Sequence, residues 1–369
     1  MKIAIIGASG FVGLRLVERW HLAGQAEVVP VVQAYRSLAV LARFALPWRV
    51  ADASDPAALA EALRGCDAVV HAALGDPNQI VTMAEALYPA AERAGIKRIV
   101  ALSSAAIHSL TPAPGTDETS PVLTRQNSDY NMAKARAEEI LTVARQRGKV
   151  ELVQLRPSII HGARSRLVTD IASQLMAGTA WFVDEGRGIC NAVGVDNLID
   201  AIWQALTCAD ADAQSFLLND RETITWCDFY GEIAKNIGMD LSGVHLVQAP
   251  TFSQNASQKL ARLAAQKSAM AVMPLIPARV KRIAKATAAV WNPSAPPASW
   301  CLPEDARPHI TEEMCLLQSC RWRYPIAKAE RVMNFAPALS FAEGMKRTGA
   351  WLRFTGLVRV AATSGISQS

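Results

Sequence analysis

An α/β fold is predicted: a doubly wound parallel sheet first, then a smaller, mixed C-terminal region. Three features of the 369-residue chain predict it. Apolar segments of strand length alternate with segments of helix length over the first 160 residues. Many of those strands are apolar throughout, as strands covered on both faces are. The first strand also runs directly into a glycine-spaced turn that opens a helix.

The elements follow in order. Lys2–Ile6 (Lys-Ile-Ala-Ile-Ile) reads as a buried strand and Phe11–Leu22 as a helix. Glu27–Val32 is strand-like, and residues 48–51 form a short strand. After Asp55-Pro56, residues 57–63 read as a helix. Residues 67–71 are a strand, and 79–94 a helix ended by Gly95. Residues 98–103 are a strand, Asp129–Arg147 a helix ended by Gly148, and 151–155 a further strand. Beyond this the pattern is less regular, with helices expected near 167–177, 196–206, Trp226–Ile237 and Phe341–Phe354. The expected division is residues 1–160 and 161–369, with segments near 188–208 returning to the first domain. No internal repeat is present.

Composition narrows the class. With 51% hydrophobic and 19% charged residues, the chain is neither disordered nor fibrous. At ~100–200 residues per domain, it makes about two folding units. The uncharged runs 286–303 and 99–116 carry too much Pro, Ser and Gly for a spanning helix. Seven scattered cysteines and no secretory leader lead us to expect a reduced, cytoplasmic protein. Cys301, His309, Cys315 and Cys320 lack the paired short loops of zinc sites, so no metal is expected. The net charge is +5, but residues 241–303 hold seven basic residues and no acid. Basicity this local does not indicate a nucleic-acid-binding face.

The turn Gly7-Ala8-Ser9-Gly10-Phe11-Val12-Gly13 carries chemistry. Gly7 permits the tight turn, Gly10 lets backbone approach a pyrophosphate, and Gly13 lets helix pack on strand. Ser9, Phe11 and Val12 sit where the helix N-terminus offers N–H groups and a favourable dipole. The spacing is GxxGxxG, and the context is strand, turn, helix, so a Rossmann-like dinucleotide site for NAD or NADP is expected. No carboxylate follows the second strand, where Val31, Val32 and Gln33 stand, and Arg36 lies just beyond. An arginine there suits a 2′-phosphate, which favours NADP. Asp52, followed by Ala53, either accepts from the adenine amino group or caps its own turn. The small Ala72 and Ala73 after His71 let the cofactor pass close by.

Tyr130 and Lys134 are four residues apart on a helix and share a face. A tyrosine with a pKa of ~10 is a poor base near neutrality. An adjacent ammonium favours the phenolate, so Tyr130 can exchange a hydroxyl proton while hydride moves. Lys134 can also hold the nicotinamide ribose. Ser104 closes the fifth strand and can hydrogen-bond the reacting oxygen, with Ser103 the alternative.

Together these motifs resemble the extended short-chain dehydrogenase/reductase family, its NAD-dependent epimerase/dehydratase group. The resemblance adds Leu155-Arg156-Pro157-Ser158-Ile159-Ile160-His161-Gly162, the run from Val195 to Ala201, and the closing segment from Lys328 through Phe341-x-Glu343-Gly344-Met345 to Trp351-Leu352. It implies that Ser104, Tyr130 and Lys134 are catalytic, that the glycines hold the pyrophosphate, and that Pro157 to Ile159 lie beside the nicotinamide. It also implies a homodimer. His108 and His161 stand where the family often has Tyr, and His161 is expected to be structural. Ser158 stands where many nucleotide-sugar enzymes have Asn, and residues 188–191 read more like hydroxysteroid and dihydroflavonol dehydrogenases. The expected activity is hydride transfer at a secondary alcohol or ketone, of a nucleotide sugar or, alternatively, with net redox on a sterol-, lipid- or flavonoid-like alcohol. A non-catalytic dinucleotide-binding regulator is the remaining reading. The basic stretch 254–292 is left with three readings: a lid or membrane-surface helix, a cationic wall for an anionic substrate, or a solvated insertion.

Overall fold

The computed structural model describes residues 1–123, 126, 128–248 and 307–356. The basic stretch 254–292 and Cys301 lie outside the described residues. Eleven strands are described: β1 (Lys2–Ile6), β2 (Glu27–Val32), β3 (Arg49–Val50), β4 (Ala68–His71), β5 (Arg98–Leu102), β6 (Glu151–Pro157), β7 (Ile159–His161), β8 (Trp181–Val183), β9 (Ala192–Gly194), β10 (Gln214–Leu218) and β11 (His245–Val247). The helices are α1 (Phe11–Leu22), α2 (Pro56–Leu63), α3 (Pro77–Ala94), α4 (Asp129–Arg147), α5 (Arg166–Met176), α6 (Val195–Thr207), α7 (Trp226–Ile237), α8 (Glu312–Gln318), α9 (Ala327–Met333) and α10 (Phe341–Phe354).

Seven strands form one sheet in the order β10-β6-β5-β4-β1-β2-β3, with every pairing parallel. Side chains alternate across it. Ile3 and Ile5 join a core with Val17, Trp20, Leu198 and Ile202 from α1 and α6. Ala4 and Ile6 join a second core with Leu59, Leu87 and Leu141 from α2, α3 and α4. Burial on both faces explains why these strands read as unbroken apolar runs.

The chain leaves β1 toward β2 and β3, then returns to β4 on the other side. Ile6 is in register with Val31 on one side and His71 on the other. The strand order reverses at this point, and a crevice opens beyond the strand ends. Gly7 and Ala72 therefore leave the sheet side by side.

Local signals set the helix boundaries. The α3 helix begins two residues earlier than periodicity indicates, because Asp76 and Gln79 form a reciprocal cap around Pro77. Asp55 caps α2 from one side only, accepting from the N–H groups of Ala57 and Ala58 ahead of Pro56 at the first helical position. The sheet is not completed within the first 160 residues. Its β10 edge comes from Gln214–Leu218, and α6 covers one face. A third core, built by Ile171, Phe182, Trp226, Phe229, Ile233, Phe341 and Met345, holds α5, α7 and α10 together.

Candidate active site

The glycine turn is shaped by sterics. Gly7 has φ +81°, and a Cβ there would lie 2.6 Å from Ala73 Cα. A Cβ on Gly13 would lie 2.2 Å from the Gly7 carbonyl oxygen, so α1 packs on the turn only with glycine there. Gly10 is the N-cap of α1, and no side chain caps the helix. Its first-turn N–H groups therefore face the crevice, the arrangement that suits a pyrophosphate.

A cleft of about 410 Å³ runs from this turn across the sheet ends. Gly7, Ser9, Gly10, Phe11, Val12, Asp52, Ala53, Ala72, Ala73, Tyr130, Lys134 and Pro157 all line it. Three residues expected there do not. Gly13 is buried under the turn. Arg36 is exposed on a short 3-10 turn, Tyr35–Val40, outside the lining. Ile159 lines the neighbouring pocket, while Ile160 reaches the cleft. Gln33 and Ser37 line the cleft just beyond β2, and sequence reasoning did not single out either. The signal for Gln33 is its position immediately after β2, where a carboxylate would bind the ribose hydroxyls of NAD. Asp52 caps its own turn, its Oδ1 accepting from Ser54 N at 2.9 Å, and it also lines the cleft.

A second pocket of about 270 Å³ adjoins the cleft, and Ser103, Tyr130, Pro157 and Ile160 line both. Ser104 faces this pocket, near enough to the Tyr130 phenol to oppose the upward shift of its pKa. Ser104 Oγ accepts from Ala106 N at 3.2 Å, which fixes the hydroxyl at the start of a short 3-10 turn. The rest of the lining is mostly apolar, including Ile159, Ile189, Trp226 and Leu317. Among the described lining residues there is no Lys or Arg, and Glu313 is the one carboxylate. Glu313 comes from α8, far from the catalytic motifs in sequence, and nothing in the sequence pointed to it.

Ser128 caps α4, accepting from Asn131 N at 3.3 Å, and so places Tyr130 in the first turn. Lys134 is buried one turn further on. Its Nζ donates to the Leu102 carbonyl at 2.8 Å and lies 6.0 Å from the Tyr130 ring centre. Burial pulls Lys134 down to about 8, opposed by the negative Glu138. Burial pushes Tyr130 up to about 12, helped by Glu313 and opposed by Ser104. Burial thus outweighs the expected lowering by the lysine, which lies beside the ring and is held by a backbone carbonyl.

The two histidines of the sequence motifs are both tied into the fold. His161 is buried, with Nε2 3.1 Å from an Asp220 carboxylate oxygen. His108 Nε2 faces Arg156 at 3.1 Å, and Arg156 is in turn ion-paired with Glu138.

A family model described as NAD dependent epimerase/dehydratase family matches residues 3–218. The chain belongs to this family. Among curated epimerase/dehydratase relatives, it is 25% identical over 258 residues to an N-acetyl-alpha-D-glucosaminyl-diphospho-ditrans,octacis-undecaprenol 4-epimerase of Escherichia coli, covering 66% of this chain and 75% of that one. It is 28% identical over 252 residues to a decarboxylating sterol-4-alpha-carboxylate 3-dehydrogenase of Candida albicans, covering 61% and 72%. Among solved structures, a Bacillus cereus UDP-glucuronic acid 4-epimerase in complex with UDP-glucuronic acid and NAD superposes with a TM-score of 0.68 at 15% identity, covering 96% of this chain and 100% of that one. At that identity the likeness establishes the fold. Among the described residues, no helix of this epimerase/dehydratase chain is long and apolar enough to cross a membrane.

Proposed function

We propose that this chain is an NAD(P)-dependent enzyme that transfers hydride at a secondary alcohol or ketone, with Ser104, Tyr130 and Lys134 as its catalytic residues. The observation that carries the reading is the position of Tyr130. It lines both cavities where they meet, with Ser104 on the pocket side and Lys134 one turn behind it on the cleft side.

The cleft fits a dinucleotide. Gly7 and Gly10 give a cradle that a larger residue would obstruct, and the uncapped N-terminus of α1 aims N–H groups into it. Ser9, Phe11 and Val12 would hold the pyrophosphate, Asp52 and Ala53 the adenine end, and Tyr130, Lys134 and Pro157 the nicotinamide end. Gln33 and Ser37 are neutral, so the ribose end has neither a carboxylate for the 2′-hydroxyl nor a cation for a 2′-phosphate in the described lining. When bound, the dinucleotide supplies the hydride acceptor or donor.

The protein's part is proton handling and orientation. Ser104 holds the substrate oxygen beside the phenol. Tyr130 takes the hydroxyl proton on oxidation and returns it on reduction. Lys134, the only basic side chain among the described residues lining the cleft, offsets charge as the phenol gives up its proton. The apolar walls exclude water from the reacting carbon.

The pocket's chemistry favours an apolar alcohol over a nucleotide sugar, because its described lining has isoleucine, leucine and tryptophan and no cation for a diphosphate. The test is to add sterol-like alcohols, phenolic alcohols and the UDP, GDP and dTDP forms of a sugar to the NAD(P)-loaded protein. Thermal shift and reduced-nicotinamide absorbance are then followed. Native-state binding raises the melting temperature by mass action. Stabilisation and reduction with an apolar alcohol support the reading. A shift with a nucleotide sugar alone would reverse the substrate class.

A further inference from the structure

A third, smaller chamber lies behind the catalytic face. It occupies about 20 Å³ between α3, α4 and the ends of β4, β5 and β6, and its polar lining is His71, Ser103, Lys134, Glu138 and Gln154. A water needs roughly 10–15 Å³ and two to four polar partners, so this volume holds one.

The partners are specific. His71 Nε2 and Ser103 Oγ are buried without a protein partner among the described residues, in side chains only 8% and 9% exposed. Lys134 Nζ has three N–H groups and donates to Leu102 O. Glu138 is taken up by Arg156, whose Nε bonds both of its carboxylate oxygens at 3.0 and 3.2 Å. The Gln154 amide is anchored to Thr142 Oγ1 at 2.8 Å. Burial, helped by the nearby Lys134 charge, holds His71 down to about 3. It is therefore a neutral imidazole, and in the tautomer protonated at Nδ1 its unpartnered Nε2 carries a free lone pair. A buried ammonium is costly unless its N–H groups are hydrogen-bonded, and His71 Nε2 and Ser103 Oγ are the unpartnered buried acceptors facing the chamber among the described residues.

We propose that one water in this chamber accepts a hydrogen bond from Lys134 Nζ and donates to His71 Nε2, which makes His71 a positioning residue for the catalytic ammonium. The inference rests on Lys134 belonging to the catalytic set, as proposed above. Ser103 Oγ completes the water's shell. The link steadies Lys134 from the side opposite the cofactor and keeps it charged at neutral pH.

Two measurements on the NAD-loaded protein test this. A crystal structure at a resolution that shows ordered water is expected to place one water within hydrogen-bond distance of both His71 Nε2 and Lys134 Nζ. Carbon-13 NMR of labelled lysines reads the Lys134 titration directly. His71→Leu removes the acceptor and is expected to lower that titration by about one unit, a tenfold change. His71→Gln keeps an acceptor and is expected to stay near wild type. A dry chamber, or identical Lys134 titration in His71→Leu and wild type, overturns the proposal. If the leucine variant does not fold, the wild-type density and the glutamine variant decide it. Retained turnover in Tyr130→Phe would instead refute the catalytic reading, leaving the water and the lysine titration as measured.

Discussion

Alanine substitutions at Gly10 and Gly13 separate two roles that a glycine loop combines. At Gly13 a new Cβ would lie 2.2 Å from the Gly7 carbonyl oxygen, a backbone atom that moves only with the whole turn. Overpacking of this kind costs about 1–3 kcal/mol, and at roughly 2–4 °C per kcal/mol the melting temperature falls by about 2–12 °C. At Gly10 the only near neighbour is the same oxygen, at 3.2 Å, which a shift of a few tenths of an ångström relieves. The expected change in melting temperature is below about 2 °C. The Gly10 methyl would, however, stand on the cleft side of the uncapped α1 N-terminus. Loss of close approach to the pyrophosphate is expected to weaken NAD binding at least tenfold, about 1.4 kcal/mol. The assay is scanning fluorimetry without cofactor, paired with calorimetric titration of NAD. A Gly10→Ala protein that is as stable as wild type and binds NAD equally well would refute the placement of the pyrophosphate at α1.

Other expectations follow from the same geometry. His71 is held down to about 3 in the fold, against an ordinary value near 6.5. Below pH 6.5 the unfolded chain gains a proton that the folded one refuses, so stability is complete above 6.5 and is lost as pH falls. By pH 4.5 this group alone removes about 3 kcal/mol, so the stability lost between pH 7 and 4.5, read from urea titrations, should be about that much larger in wild type than in His71→Gln, where His108 still titrates. Breaking the buried Glu138–Arg156 pair by Glu138→Gln leaves an uncompensated cation and is expected to cost about 3–5 kcal/mol by denaturant titration. Gln33→Asp places a carboxylate in the cleft lining beyond β2, and the ratio of NADP to NAD affinity is expected to fall about tenfold.

Much of this was legible because it is local. The strand–turn–helix from Lys2 to Leu22 follows from an apolar run, a glycine at positive φ and an amphipathic repeat, all within one window. Tyr130 and Lys134 share a face by helix geometry alone. What sequence could not supply depends on distant pieces meeting. The five residues of β10 are too short to stand out and become a strand only by pairing with β6. Glu313 reaches the pocket because α8 packs against β8, and its effect on Tyr130 has no local trace. The upward shift of Tyr130 in the cofactor-free protein has no local trace for a similar reason. Adjacency on a helix gives proximity to Lys134, but burial depends on how the two cavities close around the phenol. Arg36 shows the converse: its distance after β2 suits a ribose contact, yet the 3-10 turn leaves it exposed outside the cleft lining, which Ser37 from that turn and Gln33 directly after β2 reach instead.

The most direct test of the central claim is to compare hydride transfer by wild type and Tyr130→Phe. The substrate is the one that reduces the nicotinamide in the screen, and the cofactor affinity of both proteins is measured in parallel. Removing the proton carrier at the junction of cleft and pocket is expected to lower turnover by about 10²–10⁴-fold and leave the dissociation constant for NAD(P) unchanged. Turnover close to wild type, with cofactor bound as before, would contradict the account.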